Sequence, residues 1–469
     1  MPAGLRRVSP SDRVELQPCI GLIGMGEMGS MYAKQLCSAG WKRVLACDRP
    51  ERFAEVKEKW KDVHGITIVP DGHLVSRQAD LIIYSVEAEF IDAVVAQFGP
   101  STKVGAVVSG QTSVKAPERA AFEKYLPEDV KIVSIHSLYG PTVSPVGQPL
   151  VIIQHRACEV SVALVEDVLR PLGSKFVYMT YDEHDEITAN TQAVTHAAFL
   201  SMGTAWCASE SYPWEQGLYV GGIETVKVNI TLRIYANKWH VYAGLAILNP
   251  YARVQINQYA QSVTEIFKLM IEGRKDELRE RLYQARDKVF PPGQYRPILL
   301  SESLLDQFTL VPKPWKLRAP QHLPPRPSTP QANSHLSILA MVDSWAALGI
   351  LPLAHLSLAA TPIFRMWIGV ADALFHNEVN LHRAIEAAIH DVSHRSDDLE
   401  FTVAARGWSQ CVSFGSFKLY EERFKQTAKF FEPRFKEAAV LGSRMIKTIL
   451  EDVEVREREQ NSQSDGTSD

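Results

Sequence analysis

Short apolar runs alternate with amphipathic stretches from Cys19 to about Met179. The runs have the length and β-branched content of buried strands, whereas the stretches between them carry apolar residues at helical spacing. The runs are CIGLIGM, RVLACD, GITIV, LIIYSV, VGAVVSG, VKIVSI, PLVIIQ and KFVYMT. This alternation predicts an α/β fold in which helices cover a doubly wound parallel sheet.

The pattern changes near residue 184, after which long helical patterns predominate and predict an all-α domain. The uncharged segment 344–364 is about as long as a membrane span, but Pro352 and Pro362 interrupt it, so we interpret it as buried helices. The predicted organisation is an N-terminal extension 1–18, a sheet domain 19–184, a helical domain 185–310, a Pro-rich linker or loop 311–335, a helical extension 336–455 and a disordered tail 456–469.

Composition narrows the class of protein. The 469 residues are 46% hydrophobic, as in globular proteins, and the net charge of -4 does not predict nucleic-acid binding. The six cysteines have no metal-ligand spacing, so we expect a reducing compartment and no metal. The N-terminal stretch has no apolar region typical of a secretion signal, and a cytoplasmic location is therefore expected.

A G-x-G-x-x-G pattern follows the first predicted strand and opens a predicted helix. Such glycines permit a tight turn and close approach of a pyrophosphate to a helix N-terminus, which indicates a dinucleotide-binding Rossmann domain rather than a plain glycine-rich turn. A loop after the fourth strand is expected beside the nicotinamide half. The predicted cofactor-binding residues are Gly24, Met25, Gly26, Glu27, Met28, Gly29, Asp48, Arg49, Ser85 and Val86.

The residues beside the adenosine ribose favour different cofactors. Asp48, at the end of the second strand, favours the unphosphorylated ribose of NAD, whereas Arg49 and nearby Arg52 are suited to the 2′-phosphate of NADP. The residues alone leave this choice open.

His136 is placed at the end of the sixth strand, where ligands bind in open parallel sheets. Ser113 follows the fifth strand, so the two side chains are expected at the same sheet edge. A serine bonded to one ring nitrogen would fix the tautomer and leave the other nitrogen as a base or acceptor. The alternatives are an ordinary strand-end histidine and a serine that caps the next helix. His184 is expected to be a solvated linker residue, and His155 to end a strand.

Four stretches, GLIGMGEMG, SGQTSVK, IHSLYGP and HDEITANTQAVTHAAF, together resemble the prephenate dehydrogenase family, and the whole length resembles its fungal form. The resemblance implies oxidative decarboxylation of prephenate to 4-hydroxyphenylpyruvate, on the route to tyrosine, with NADP as the cofactor of the fungal form. It also implies that His136 accepts the proton or hydrogen bond of the substrate hydroxyl. One departure is that Ser137 follows the histidine where the family has proline.

The resemblance makes His196 a substrate contact, with Gln192 one helical turn earlier and Thr188 a further turn back; an interhelical hydrogen bond is the alternative. Many family members also carry an arginine for the ring carboxylate where this chain has Gly244. If residues 230–248 form one helix, His240 and Arg233 share the face of Gly244, and Lys238 is less well directed. Arg233 or Lys238 is therefore expected to replace the missing cation, unless these charges simply face water.

Other functions remain open at this point. Arogenate dehydrogenase differs only in an amino group on the substrate, and a β-hydroxyacid dehydrogenase would need a catalytic lysine that no motif here supplies. A non-catalytic dinucleotide-binding sensor or scaffold would keep the glycine loop but lose His136 and Ser113. The apolar helices after residue 336 predict a homodimer.

Overall fold

The computed structural model describes residues 7–141, 143–216, 219, 221–291, 298–310, 333–359 and 361–465. The chain divides into two compact units, one comprising Met1–Thr188 with Leu248–Pro250 and the other Ala189–Ile247 with Tyr251–Asp469. The first unit thus ends four residues after the boundary expected at 184.

Eight strands form the sheet of the first unit, in the order β3-β2-β1-β4-β5-β6-β7-β8. The strands are β1 Ile20–Ile23, β2 Val44–Cys47, β3 Ile66–Ile68, β4 Leu81–Tyr84, β5 Val107–Gly110, β6 Lys131–Ser137, β7 Pro149–Gln154 and β8 Lys175–Tyr178. The strand order reverses between β1 and β4, and the crevice outside the carboxyl ends of such neighbours is where doubly wound sheets bind ligands. The predicted Rossmann architecture is confirmed.

One pair of strands corrects the expectation of a wholly parallel sheet. β6 and β7 run antiparallel, with His136 opposite Val151, whereas the other pairs are parallel. No helix lies between the two strands in the described part of the chain. Because a parallel connection needs a crossover, usually helical, the short connection here allows a simple reversal.

Helices cover both faces of this sheet. They are α1 Glu27–Ala39, α2 Phe53–Trp60, α3 Gly72–Gln78, α4 Ile91–Phe98, α5 Lys115–Tyr125, α6 Glu159–Leu169 and α7 Tyr181–Thr188. Alternate strand residues enter two apolar clusters, with Leu22 and Ile83 in one and Ile23 and Ile82 in the other. The strands are therefore nearly continuous in apolar residues, as expected where both faces are buried.

The second unit is helical. Its helices are α8 Val194–Ala208, α9 Gly222–Tyr235, α10 Trp239–Ile247, α11 Ala252–Ile271, α12 Lys275–Val289, α13 Glu302–Leu305, α14 Leu336–Leu348, α15 Pro352–Ala359, α16 Pro362–Phe375, α17 Glu378–His390, α18 Arg395–Phe414, α19 Phe417–Phe431 and α20 Phe435–Asp465. The predicted extension packs into this unit, since α14 and α18 both lie against α11. A bidentate ion pair between Arg281 and Asp343, at 2.7 and 2.8 Å, joins α12 to α14.

The uncharged segment 344–364 is divided among three helices, as its prolines predicted. Within the described residues, no helix combines the length and the apolar character needed to cross a bilayer.

Two expectations about helices were wrong. Residues 230–248 do not form one helix, because α9 ends at Tyr235 and α10 begins at Trp239. Asn237 lies in the turn between them, bonded to the Tyr242 hydroxyl, and asparagine often stabilises such turns through its side chain. The tail expected from residue 456 is helical as far as Asp465, where Glu and Arg residues of good helix propensity dominate. Most of the Pro-rich segment, residues 311–332, lies outside the described residues.

Candidate functional site

The glycine loop joins β1 to α1, and its glycines are required by the local geometry. Gly24 has φ +101°, and a β-carbon built there would lie 2.3 Å from the Ser85 carbonyl oxygen. A β-carbon at Gly29 would lie 2.0 Å from the Gly24 carbonyl oxygen, so this position packs the helix tightly against the strand. At Gly26, by contrast, a β-carbon would meet nothing within 4 Å. The loop therefore has open space at the middle glycine, beside the N-terminus of α1, where a pyrophosphate would bind.

The residues around the loop fit a dinucleotide. Met25 is buried and donates its backbone N–H to Asp48, at 3.1 Å. Ser85 lies against the loop on the neighbouring strand end and donates to the Gln111 side chain at 3.1 Å. Val86 is also near Gly24, with a methyl group 3.2 Å from the β-carbon built there. Glu27 and Met28 are the first two residues of α1.

The Asp48 carboxylate already has several partners in this structure. It accepts hydrogen bonds from the Arg49 backbone N–H, at 2.7 Å, and from the Arg52 guanidinium, at 2.8 Å. The Arg49 side chain is exposed, and no ion pair or hydrogen bond of its guanidinium is recorded among the described residues. An exposed guanidinium here, beside a carboxylate that is already neutralised, is suited to a 2′-phosphate.

His136 is the penultimate residue of β6 and contacts a second histidine. Its Nδ1 lies 2.8 Å from Nε2 of His184, and both side chains are buried. The other nitrogen of His184, Nδ1, lies 2.9 Å from an oxygen of Asp185. Asp185 in turn accepts the backbone N–H groups of Lys115 and Ala116, each at 2.7 Å, at the start of α5. Asp185 thus satisfies two backbone donors at the N-terminus of that helix.

The surroundings keep both imidazoles neutral. Burial lowers the pKa of His136 well below 6.5, and the neighbouring His184 and Lys115 lower it further. Burial and Lys115 likewise lower the pKa of His184. Burial raises the pKa of Asp185 to about 6, against the opposing effect of the two backbone N–H groups and Lys115. At neutral pH His136 is therefore an uncharged imidazole that can accept a proton.

A buried ion pair holds this end of the sheet together. Lys115 and Glu118 are both inaccessible to solvent and lie 3.0 Å apart. The Lys115 ammonium also donates to the carbonyl oxygens of Gly110, at 3.0 Å, and Ile135, at 2.7 Å. Since those carbonyls lie at or near the carboxyl ends of β5 and β6, Lys115 fixes the strand end that carries His136.

The expected hydrogen bond between Ser113 and His136 was wrong as to the partner. His184 occupies Nδ1 of His136, and no bond from Ser113 to the ring is recorded among the described residues. Ser113 does not cap α5 either, because the capping position is Val114 and Asp185 accepts the free N–H groups. Ser113 remains half-buried in the turn before α5.

The solvated role expected for His184 was also wrong. Tyr181, His184, Asp185 and Thr188 are all buried on one face of α7. Their spacing of three, four and seven residues is the signature of a buried helix face, and it was present in the sequence. The charged neighbours Glu183 and Glu186 concealed it by making the segment look solvated. His155 follows β7 as expected and bonds to Glu123 at 2.7 Å.

In the helical unit, His196 and Gln192 are buried with unpartnered nitrogens. Nδ1 of His196 and Nε2 of Gln192 have no hydrogen-bond partner among the described residues. Burial lowers the pKa of His196 to about 3. Residues 189–193 form a π-helix, so the helical stripe expected from Thr188 to His196 is not regular. Such segments occur frequently at functional sites.

Arg233 is the cation best placed near His196. The His196 ring packs edge-on against Tyr242, with centroids 4.7 Å apart, and Tyr242 interacts electrostatically with Arg233. Burial lowers the pKa of the half-buried Arg233, and the nearby Tyr242 raises it. No ion pair of Arg233 is recorded among the described residues. Lys238 is exposed in the turn after α9, and His240 is the second residue of α10, so the interruption of the helix separates both from the Arg233 face.

Comparison with known protein families supports both units. Residues 193–451 match the model of a 6-phosphogluconate dehydrogenase C-terminal domain. Residues 19–110 match a model described as NADP oxidoreductase, coenzyme F420-dependent.

Individual proteins match over nearly the whole chain. The chain is 52% identical to the prephenate dehydrogenase [NADP(+)] of Saccharomyces cerevisiae, over 92% of this chain and 94% of that protein. It is 50% identical to the probable prephenate dehydrogenase [NADP(+)] of Schizosaccharomyces pombe, over 93% of this chain and 98% of that protein. The crystal structure of prephenate dehydrogenase from Aquifex aeolicus aligns with a TM-score of 0.46 and 16% identity, covering 56% of this chain and 96% of that one. The chain belongs to the prephenate dehydrogenase family, in its fungal form.

Proposed function

We propose that this protein catalyses the oxidative decarboxylation of prephenate to 4-hydroxyphenylpyruvate with NADP as the cofactor. The observation that carries the proposal is a neutral, buried His136 at the carboxyl end of β6, in a unit with a glycine loop open to a dinucleotide. The similarity to two proteins of that name over more than nine-tenths of the chain supports it.

His136 is the group that accepts the proton of the substrate's ring hydroxyl. When bound, oxidised NADP takes the hydride from the carbon that bears this hydroxyl. As that proton passes to Nε2 of His136, the bond from the ring to its carboxylate breaks, carbon dioxide leaves and the bonding electrons make the ring aromatic. A neutral imidazole is required for this step, and the buried site keeps His136 neutral.

The helical unit supplies substrate contacts. Arg233 is proposed to bind a substrate carboxylate, because it is a half-buried cation without a recorded ion pair in the described part of the chain. The unpartnered nitrogens of His196 and Gln192 are proposed to hydrogen-bond the substrate.

Arg49 is proposed to select NADP over NAD. In an Arg49→Ala variant we expect the KM for NADP to rise by about tenfold or more, the range of a lost charge-assisted hydrogen bond, while the KM for NAD changes little. Steady-state assays with both cofactors provide the test. Arg13→Ala, an exposed arginine outside the glycine loop and the ribose site, is the control. Equal effects on both cofactors would contradict the assignment.

The reaction itself is tested by following reduced cofactor with purified protein. Prephenate and arogenate are each supplied with NADP or NAD. We expect prephenate with NADP to give the highest kcat/KM. A higher kcat/KM with arogenate would replace the proposed substrate, and no reduction of either cofactor with either substrate would contradict the proposed activity.

We also propose that the protein is a cytoplasmic homodimer. All six cysteines are free, which is usual in a reducing compartment. The helical unit exposes large apolar side chains, including Leu399 and Val403 one turn apart on α18 and Phe414 at its end. Sedimentation at several concentrations should show a dimer, weakened in a Val403→Lys variant. A monomer at every concentration would contradict the proposal.

A further inference from the structure

The contacts of His184 extend from His136 to the start of α5 without a break. The chain of atoms runs from Nδ1 of His136 to Nε2 of His184 over 2.8 Å, and from Nδ1 of His184 to Asp185 over 2.9 Å. All three side chains are buried, so no bulk water competes for these bonds. The direction of each hydrogen bond therefore depends on the last group in the chain.

Asp185 sets that direction. Its two oxygens accept the backbone N–H groups of Lys115 and Ala116, which makes the carboxylate an acceptor on both sides. His184 must then donate from Nδ1, and a neutral imidazole that donates from Nδ1 has a lone pair on Nε2. That lone pair accepts the Nδ1–H of His136. The opposite arrangement would set a lone pair of His184 against the carboxylate oxygen.

The same logic fixes the reactive nitrogen of His136. A neutral imidazole that donates from Nδ1 carries its lone pair on Nε2. We propose that His184, oriented by Asp185, is a positioning residue that holds His136 in the tautomer with a free lone pair on Nε2. This inference rests on the proposed function for its consequence in catalysis, whereas the tautomer itself is a property of the protein without substrate.

The pair also gives the accepted proton a route. When Nε2 of His136 takes a proton, its Nδ1 proton can pass to Nε2 of His184, and the Nδ1 proton of His184 to Asp185. Each ring gains one proton and loses one, so the positive charge does not remain on a buried imidazole beside Lys115. Burial raises the pKa of Asp185 to about 6, which brings this carboxylate closer to accepting a proton at neutral pH.

Two substitutions of His184 separate positioning from packing. Gln has a side-chain oxygen that can accept the Nδ1–H of His136, whereas Leu has a similar volume and no acceptor. We expect kcat of the His184→Leu variant to fall by about 100-fold, the lower range for general-base catalysis, with the KM for prephenate and the dissociation constant for NADP nearly unchanged. His184→Gln should retain at least ten times the kcat of His184→Leu. Equal losses in both variants, or a His184→Leu kcat within twofold of wild type, would overturn the proposal.

A measurement without substrate distinguishes failure of this inference from failure of the proposed function. In protein labelled with ¹⁵N-histidine, the Nδ1 resonance of His136 should be that of a protonated nitrogen in wild type and in His184→Gln. In His184→Leu it should move towards a mixture of tautomers. His136→Gln identifies the resonance. A His136 that is protonated on Nε2 in the wild type would overturn the inference whatever the enzyme's activity.

Discussion

Arg233 is a half-buried cation with no recorded ion pair in the described part of the chain. If it binds a substrate carboxylate, its loss removes charge-assisted hydrogen bonds of about 1.5–3 kcal/mol. We therefore expect Arg233→Ala to raise the KM for prephenate by about 10- to 100-fold, with a smaller change in kcat. Lys238→Ala, which removes an exposed cation in the following turn, should change neither value. A larger effect at Lys238 than at Arg233 would reverse the assignment.

His196 links substrate binding to stability. Its pKa falls from 6.5 to about 3 through burial, so its neutral form stabilises the folded protein. This contribution is present above pH 6.5 and is lost as the pH falls towards 3. Between pH 7.5 and 5.5 the loss is about 1.4 kcal/mol for one proton.

The pH effect is measured against a variant that cannot titrate at this position. Denaturant unfolding of wild type and His196→Phe is compared at both pH values. We expect wild type to lose about 1.4 kcal/mol more than the variant on going to pH 5.5. Parallel losses in the two proteins would show that His196 is not held neutral.

Among the elements, the glycine loop offers a matched pair of substitutions. A β-carbon at Gly26 meets nothing, whereas one at Gly29 collides with the Gly24 carbonyl oxygen. Gly26→Ala should leave the free energy of unfolding nearly unchanged and raise the KM for NADP, because the methyl group occupies the approach of the pyrophosphate. Gly29→Ala should destabilise the protein by about 1–3 kcal/mol, as overpacking does. Thermal unfolding and NADP titration of both variants would test this, and destabilisation by Gly26→Ala alone would contradict it.

Helices and strands with clear periodicity could be predicted from the sequence, including every strand of the sheet and the glycine-loop helix. The direction of β7 was missed because apolar content says nothing about strand direction, although the short connection after β6 is an indication. The break at 236–238 was missed because its residues are compatible with a helix locally. The tertiary contact of Asn237 with Tyr242 is not visible in a periodic pattern.

The candidate site was predictable in its strand-end and loop residues and less so in its contacts. His136 and the glycines could be identified because topology alone places strand ends at one edge. His184 and Asp185 could not be paired with His136 from spacing, since α7 lies far along the chain and reaches β6 only through packing on α5.

At the scale of the whole molecule, the proposed chemistry is divided between the units. The first carries the glycine loop, His136 and its hydrogen-bonded neighbours, and the second carries Arg233, His196 and Gln192. Substitutions in the first unit should therefore change mainly kcat or cofactor binding, and those in the second mainly the KM for prephenate. The extension that was expected as a separate region belongs to the helical unit, where α14 and α18 pack on α11.

The central claim is that His136 accepts the proton during NADP-dependent oxidation of prephenate. The most direct measurement is the kcat for reduced NADP formation by wild type, His136→Asn and the control His155→Asn, together with NADP binding by each. We expect active wild type and control, and a His136→Asn protein that binds NADP normally with kcat lowered by about 100- to 10,000-fold. A His136→Asn kcat within twofold of wild type would contradict the claim.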